Sequence, residues 1–296
     1  MMTEISSFWY TPKGYKGIGL MEILTIKSWL DHGYKFHLYT YNLEDKIFLK
    51  FQELFDNFML KDANEIVPFE EYFSDDRGAG VAAFSDYFRF NLLYQRDALW
   101  VDLDMVCLNH MDLSQEYIFT QEIDKDETKP RITTSFLKFP KNSDFGKNLI
   151  QEAKKIIDNK KIIPWGVIGP WFLAEQVEKW NLGKYKWDYK QTCQIPWYKV
   201  KNFIDKGQVF DAGRPCLHLF SEMWKTYDLN KNHFYQHGVY GFLLQKHNIF
   251  TLCLKLNYNF NFYDKYHDKF LLLANIKNKA IFYLRHPKKL FKKNNV

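Results

Sequence analysis

Two aspartates one residue apart, Asp102 and Asp104, close an apolar, β-forming run, Leu99-Trp100-Val101. On an extended chain the side chains at i and i+2 project to the same side. The spacing therefore predicts two carboxylates together at a strand end. Hard oxygen ligands so placed suit Mg2+ or Mn2+, and such an ion can bridge phosphate oxygens. In open α/β sheets, ligands gather at the carboxyl ends of strands, the position expected for this pair. A lone Asp-x-Asp also arises as a solvated turn, so a second feature has to carry the chemistry. Asp86 and Arg89, three residues apart on a predicted helix, share a helix face. Two readings stand for them: a structural ion pair, or a clamp for a polyol, whose hydroxyls need both an acceptor and a donor.

The elements that must position these residues follow from pattern. Ile5 to Tyr10 is short and apolar and runs into a loop with Pro12, Gly14, Gly17 and Gly19, which predicts a strand followed by a turn. Met21 to His32 has helical spacing and ends at Gly33, and Lys35 to Tyr41 alternates as a second strand. Strand, helix and strand in so short a span argue for an α/β fold with parallel pairing. Asn42 to Pro68 is expected to form a helix plus a connection. After breaks at Gly78 and Gly80, a helix is expected from Ser85 to Tyr94 with Ser85 as its cap, then β-formers from Ala98 to Leu108. An amphipathic helix is expected over Asp144 to Asp158, and another opens at Pro170, where a missing N–H is harmless.

The stretch Phe84-Ser85-Asp86-Tyr87-Phe88-Arg89-Phe90-Asn91-Leu92-Leu93-Tyr94, followed by Leu99-Trp100-Val101-Asp102-Leu103-Asp104, resembles the SDxxRxxxLxxxGGxYxDxD signature of DxD-containing sugar transferases. This is a glycosyltransferase family 32-like group that includes capsule and lipopolysaccharide transferases. Where that signature has Gly-Gly, this chain has Asp97-Ala98. The resemblance implies a GT-A fold, a Rossmann-like nucleotide-binding sheet merged with a smaller acceptor-side part. It implies that Asp86 and Arg89 hold the donor sugar and that Asp102 and Asp104 bind ribose and metal. Weaker matches follow in family order. Trp9 and Tyr10, within Phe8-Trp9-Tyr10, resemble the segment that meets the nucleotide base. Arg131 to Pro140, with Ser135, resembles the strand before the acceptor-side helix, and Gly169-Pro170 resembles a recurrent helix start on that side. His218 to Trp224 resembles a late HxxxxxW segment, which implies His218 as a further metal ligand and Ser221 and Trp224 at the donor, with Trp224 covering it.

Composition narrows the alternatives. Hydrophobic residues make up 46% and charged residues 26% of 296 residues, the balance of an ordinary globular protein. The 27 Phe, 19 Tyr and 9 Trp can pack a core or present flat faces to bases and sugars. Cys107, Cys193, Cys216 and Cys253 lack zinc-cluster or disulfide-framework spacing, so reduced thiols are expected. No apolar run reaches the roughly 20 residues of a membrane helix, and Met1 to Phe8 has no basic leader region. A cytoplasmic protein is the expectation. The basic stretch Arg285 to Lys293 is either a solvated terminus or a peripheral contact with the inner membrane face. With a net charge of +6 and no recognised module, nucleic acid is not an expected partner.

These features together predict a catalytic domain over residues 1–226 and an extension over 227–296 ending in the basic tail. The resemblance implies a metal-dependent hexosyltransferase that takes a nucleotide-sugar donor, a UDP-sugar favoured, and uses Mn2+ or Mg2+. Its acceptor would be a glycan or glycolipid, with retention and an α-linked product, in surface polysaccharide synthesis. The competing readings are a sugar-phosphate or nucleotidyl transferase using the same carboxylates, which no P-loop supports, and a non-catalytic carbohydrate-binding protein.

Overall fold

Period-two alternation organises the centre of the molecule. In the computed structural model, which describes residues 4–77, 79–159 and 162–263, the central strands send successive side chains into two different apolar layers. Leu99 and Val101 enter one layer and Ala98 and Trp100 the other; Phe36 and Leu38 are likewise opposed by Tyr39. A sheet buried on both faces needs helices on both, and that is the arrangement found.

The sheet has the order β3-β2-β1-β4-β7-β6. Its parallel part consists of β1 (Glu4–Trp9), β2 (Phe36–Thr40), β3 (Phe58–Asp62) and β4 (Ala98–Val101). Strand β7 (Arg131–Lys138) runs antiparallel to both β4 and β6 (Ile118–Glu122). The class is α/β, with a mostly parallel, Rossmann-like half merging into a smaller antiparallel part, as the GT-A resemblance implies. A separate antiparallel ladder pairs β5 (Met105–Cys107) with β8 (Cys216–His218).

The helices at Leu20–Asp31, Asp144–Asp158 and Pro170–Lys179 form where the spacing predicts, whereas those after residue 220 carry no signal caught in the sequence. Glu22 accepts from Gly19 N at 2.7 Å and so closes the start of α1 (Leu20–Asp31). Asp45 caps α2 (Lys46–Leu54). Ser143 caps α4 (Asp144–Asp158), which buries Phe145, Leu149 and Ala153 at four-residue intervals. Pro170 occupies the first turn of α5 (Pro170–Lys179). Helices α3 (Ala82–Gln95), α4 and α5 supply one apolar layer. The other holds α1, the β5–β8 ladder, α7 (Gly238–Lys246) and α8 (Ile249–Leu256), so residues after 227 share a core with the first helix. A short helix α6 (Ser221–Thr226) follows β8, and β9 (His233–Phe234) pairs with β10 (Asn261–Phe262).

Three local expectations change. Residues 42–68 contain β3 as well as a helix; its mixed pattern belongs to a sheet edge, where one side of the strand has no partner to bury. Ser85 does not cap α3, whose first residue is Ala82; the loop carboxylate of Asp75 accepts from Ala83 N at 2.8 Å instead. Asp102-Leu103-Asp104 is not extended but turns between β4 and β5, with Met105 N donating to Asp102 O at 3.0 Å. The Asp97-Ala98 departure costs nothing visible, since neither residue takes a positive φ that would need glycine. Among the described residues no helix is long and apolar enough to cross a membrane. Gly78 and the basic stretch Arg285 to Lys293 lie outside the described residues.

Candidate active site

The chain leaves the main sheet at Asp102 and enters the β5–β8 ladder at Met105, so the acidic turn sits where two sheets part. The ladder register sets Met105 opposite His218, which brings that imidazole beside the residue preceding Met105, Asp104. Leu219 N donates to Asp104 O at 2.9 Å and fastens the two segments. One ligand atom from each of Asp102, Asp104 and His218 lies within 4.8 Å of the others. Asp104 Oδ2 accepts from Ser221 N at 2.7 Å, at the start of α6. His218 Nε2 stands 3.2 Å from Asp104 Oδ1, which is buried and makes no aligned hydrogen bond. Two carboxylates and an imidazole, one carboxylate oxygen without an aligned hydrogen bond, form a donor set that suits Mg2+ or Mn2+.

Arg89 ties this turn to helix α3. Its Nη1 lies 3.2 Å from Asp86 Oδ1 and donates to Thr134 O at 2.7 Å. Its Nη2 lies 3.2 Å from Asp102 Oδ1 and donates to Ser85 Oγ, while Nε donates to Ser85 O. The guanidinium also lies over the Trp100 ring, 4.8 Å from its centroid, and Trp100 Nε1 donates to Asp102 Oδ1 at 2.8 Å. Every nitrogen of the fork is engaged inside the protein. Arg89 therefore holds Asp86 and Asp102 in place, rather than keeping donors ready for a sugar.

Burial and charge separate the three carboxyls. Burial pushes the Asp86 pKa up to about 6, with the Asp102 charge adding to the effect and Arg89 opposing it. Burial also raises Asp102, helped by Asp104 and opposed by Arg89. Asp104 moves the other way: burial would raise it, but the His218 charge and the Ser221 N–H hold it below the usual carboxylate range. His218 correspondingly lies well above its ordinary value, because Asp104 outweighs burial.

The remaining expected residues divide. Trp9 and Tyr10 lie at the carboxyl end of β1, on the same edge of the parallel strands as Asp102. Trp9 Nε1 donates to Thr11 Oγ1, and Tyr10 packs edge-on against Tyr41, Phe69 and Tyr72. Ser221 reaches the site through its backbone, as the donor to Asp104. Trp224 is a correction. Its exposure is 0%, its indole N–H is spent on Leu219 O, and its ring packs against Phe203, Tyr235 and Tyr240. No face remains to cover a donor, and the ring is a core element. Sequence reasoning missed Thr134, Trp100 and Asp75. The first acts through a backbone oxygen, which no residue type signals; the other two are visible only once the strands and the loop before α3 are in place.

No family model matches the chain, and no curated protein matches it. Among solved structures it is similar to the PaToxG glycosyltransferase, with 13% identity, a TM-score of 0.43, and coverage of 62% of this chain and 70% of that one. It is also similar to the glycosyltransferase GlyE of Streptococcus pneumoniae TIGR4, with 13% identity, a TM-score of 0.46, and coverage of 89% of this chain and 66% of that one. The apo form of GlyE gives 14% identity and a TM-score of 0.40, with 88% and 66% covered. The chain thus spans just under two thirds of GlyE. At these scores the likeness is one of broad shape, and the chemistry rests on the site's own residues.

Proposed function

We propose that this chain is a metal-dependent glycosyltransferase that moves a hexosyl unit from a nucleotide-sugar, a UDP-sugar favoured, to a glycan or glycolipid acceptor. One observation carries the reading: Asp86, Arg89, Asp102, Asp104 and His218, drawn from a helix, a strand-end turn and a distant strand, form one connected group at the carboxyl edge of the parallel strands. A structural ion pair would need only two of them.

A divalent cation held by Asp102, Asp104 and His218 would supply the Lewis acidity that neutralises a departing nucleoside diphosphate. The chain's own residues do the rest. Arg89 is a positioning residue that fixes Asp86 and Asp102 relative to each other. Asp86, with one oxygen against Arg89 and the other against the Gly169 turn, is assigned to the donor sugar by the resemblance alone. Trp9 and Tyr10 lie on the edge where a base would rest. Burial around the carboxylates excludes water, so that an acceptor hydroxyl can compete with hydrolysis. Retention at the anomeric carbon, a role in surface polysaccharide synthesis and a cytoplasmic setting with peripheral membrane contact complete the reading.

The test is Mn2+-dependent release of nucleoside diphosphate from a panel of UDP- and GDP-sugars, followed by anomeric assignment of any product by NMR. Asp104→Asn should reduce release by at least about 100-fold, since even the partners of metal ligands are worth roughly 10- to 100-fold. Absence of release across the panel, or full metal-dependent release by the variant, refutes the proposal.

A further inference from the structure

Two tryptophans flank the turn that seats against Asp86. A Cβ added to Gly169 would lie 2.8 Å from Asp86 Oδ2, so the start of α5 rests directly on that carboxylate. Trp171, two residues further on, is 69% exposed, and Trp165, on the approach to the turn, is 45% exposed. An indole carries one of the largest apolar surfaces a side chain has, and leaving it in water forfeits its burial. Both rings are nevertheless held in place. The Arg131 guanidinium lies 5.4 Å from the Trp171 ring centroid and is itself anchored, with Nε and Nη2 each 2.8 Å from Glu122 Oε1. The Arg77 guanidinium lies 4.5 Å from the Trp165 ring centroid, and Trp165 N donates to Asp76 Oδ1 at 2.8 Å.

The surroundings of the rings select the occupant. A lipid tail or an aliphatic protein surface placed on these indoles would desolvate the adjacent arginines and carboxylates without giving them hydrogen bonds, at a cost. A pyranose ring avoids that conflict. Its face of C–H bonds meets the negative face of an indole, while its equatorial hydroxyls reach charged neighbours on either side. We propose that Trp171 and Trp165 form a saccharide-binding ledge that receives a hexopyranose of the acceptor beside Asp86. Saccharide binding at these indoles rests on their exposure and on the arginine beside each ring; its role as the acceptor subsite rests on the transferase reading.

Saturation-transfer NMR on the full chain, with methyl α- and β-glycosides of glucose, galactose, mannose and N-acetylglucosamine as probes, tests the ledge. At least one glycoside should show transfer to its ring C–H protons. Trp171→Ala should weaken that binding roughly 3- to 10-fold, Trp165→Ala by a smaller factor, and Trp171→Phe should retain most of it because a flat face remains. An unchanged melting temperature in both alanine variants keeps the readout one of binding. The ledge is overturned if no glycoside binds the wild type, or if both alanine variants bind as the wild type does. It is also overturned if Trp171 is instead needed for binding to phosphatidylglycerol–phosphatidylethanolamine vesicles. Tryptophan-dependent glycoside binding in a wild-type chain that releases no nucleoside diphosphate would keep the ledge and refute the transferase reading.

Discussion

Three buried or half-buried carboxylates, Asp86, Asp102 and Asp104, gather around one guanidinium and one imidazole. Like charges at this range cannot all ionise freely, and the protein resolves the conflict by giving them unequal partners. Asp104 has His218 and a backbone N–H and is held charged. Asp86 shares Arg89 with Asp102, and burial pushes it up to about 6. Arg89 suits the central place because a planar fork can address two carboxylates and two backbone oxygens at once, which an ammonium cannot. Trp224, by contrast, belongs to the core. Trp224→Ala should lower unfolding stability by about 3–5 kcal/mol, the cost of deleting a fully buried large ring, with Trp224→Phe costing less. Urea titration measures this, and a stable variant with weakened donor binding would return the ring to the donor site.

At the scale of elements, the site depends on close approach between α3 and the start of α5. Gly169 leaves room for Asp86 Oδ2, and a side chain there meets a carboxylate that Arg89 prevents from moving aside. Gly169→Ala should therefore lower donor turnover by up to roughly 100-fold, the scale of an ångström-sized misplacement. Donor hydrolysis beside a melting curve checks this, and a loss no larger than the drop in folded fraction would speak against it. The start of α3 is held from outside the helix. Asp75 Oδ2 accepts from Ala83 N and Oδ1 from Arg77 N, and the same residue bridges to Ile163 near the Trp165 loop. Asp75→Ala removes a cap and should cost about 1 kcal/mol, measured by chemical denaturation. Asp75→Asn should recover only part of it, because one amide oxygen can accept from Ala83 N or Arg77 N but not from both.

For the whole molecule, α1 and the α7–α8 hairpin meet at His247. The imidazole is buried, Nδ1 lies 2.7 Å from Asp31 Oδ2, and Nε2 has no hydrogen-bond partner. Burial depresses the His247 pKa below its ordinary 6.5, Lys246 and His32 add to this, and Asp31 restores only part. The unfolded chain therefore takes up a proton at a higher pH than the folded one does. Stability from this residue is fully present above 6.5 and is lost as pH falls through the lowered folded value. The depressed Asp31 carboxyl acts in the same direction but in a more acidic window, below its ordinary 3.8. Thermal melts should show stability declining as pH falls below the ordinary His value of 6.5. His247→Gln should flatten it, and an equal slope in the variant would place the effect elsewhere.

The sequence by itself determined the features whose causes are local. Helices α1, α4 and α5, strands β1, β2 and β4, and the coupling of Asp86 and Arg89 to the following acidic pair are all legible, because period, caps and short spacing act within a few residues. Tertiary structure alone decided the rest. The acidic pair converges through a turn rather than an extended strand, because the chain there must leave one sheet for another. Asp104 meets Ser221 across 117 residues, and His218 stands beside it through the β5–β8 register, a pairing that no local preference encodes. The same register carries the chain into α6 and turns Trp224 inward to the core. A residue's neighbours at such separations are set by how whole elements pack, and so by the apolar layers of the entire chain rather than by the residues on either side of it.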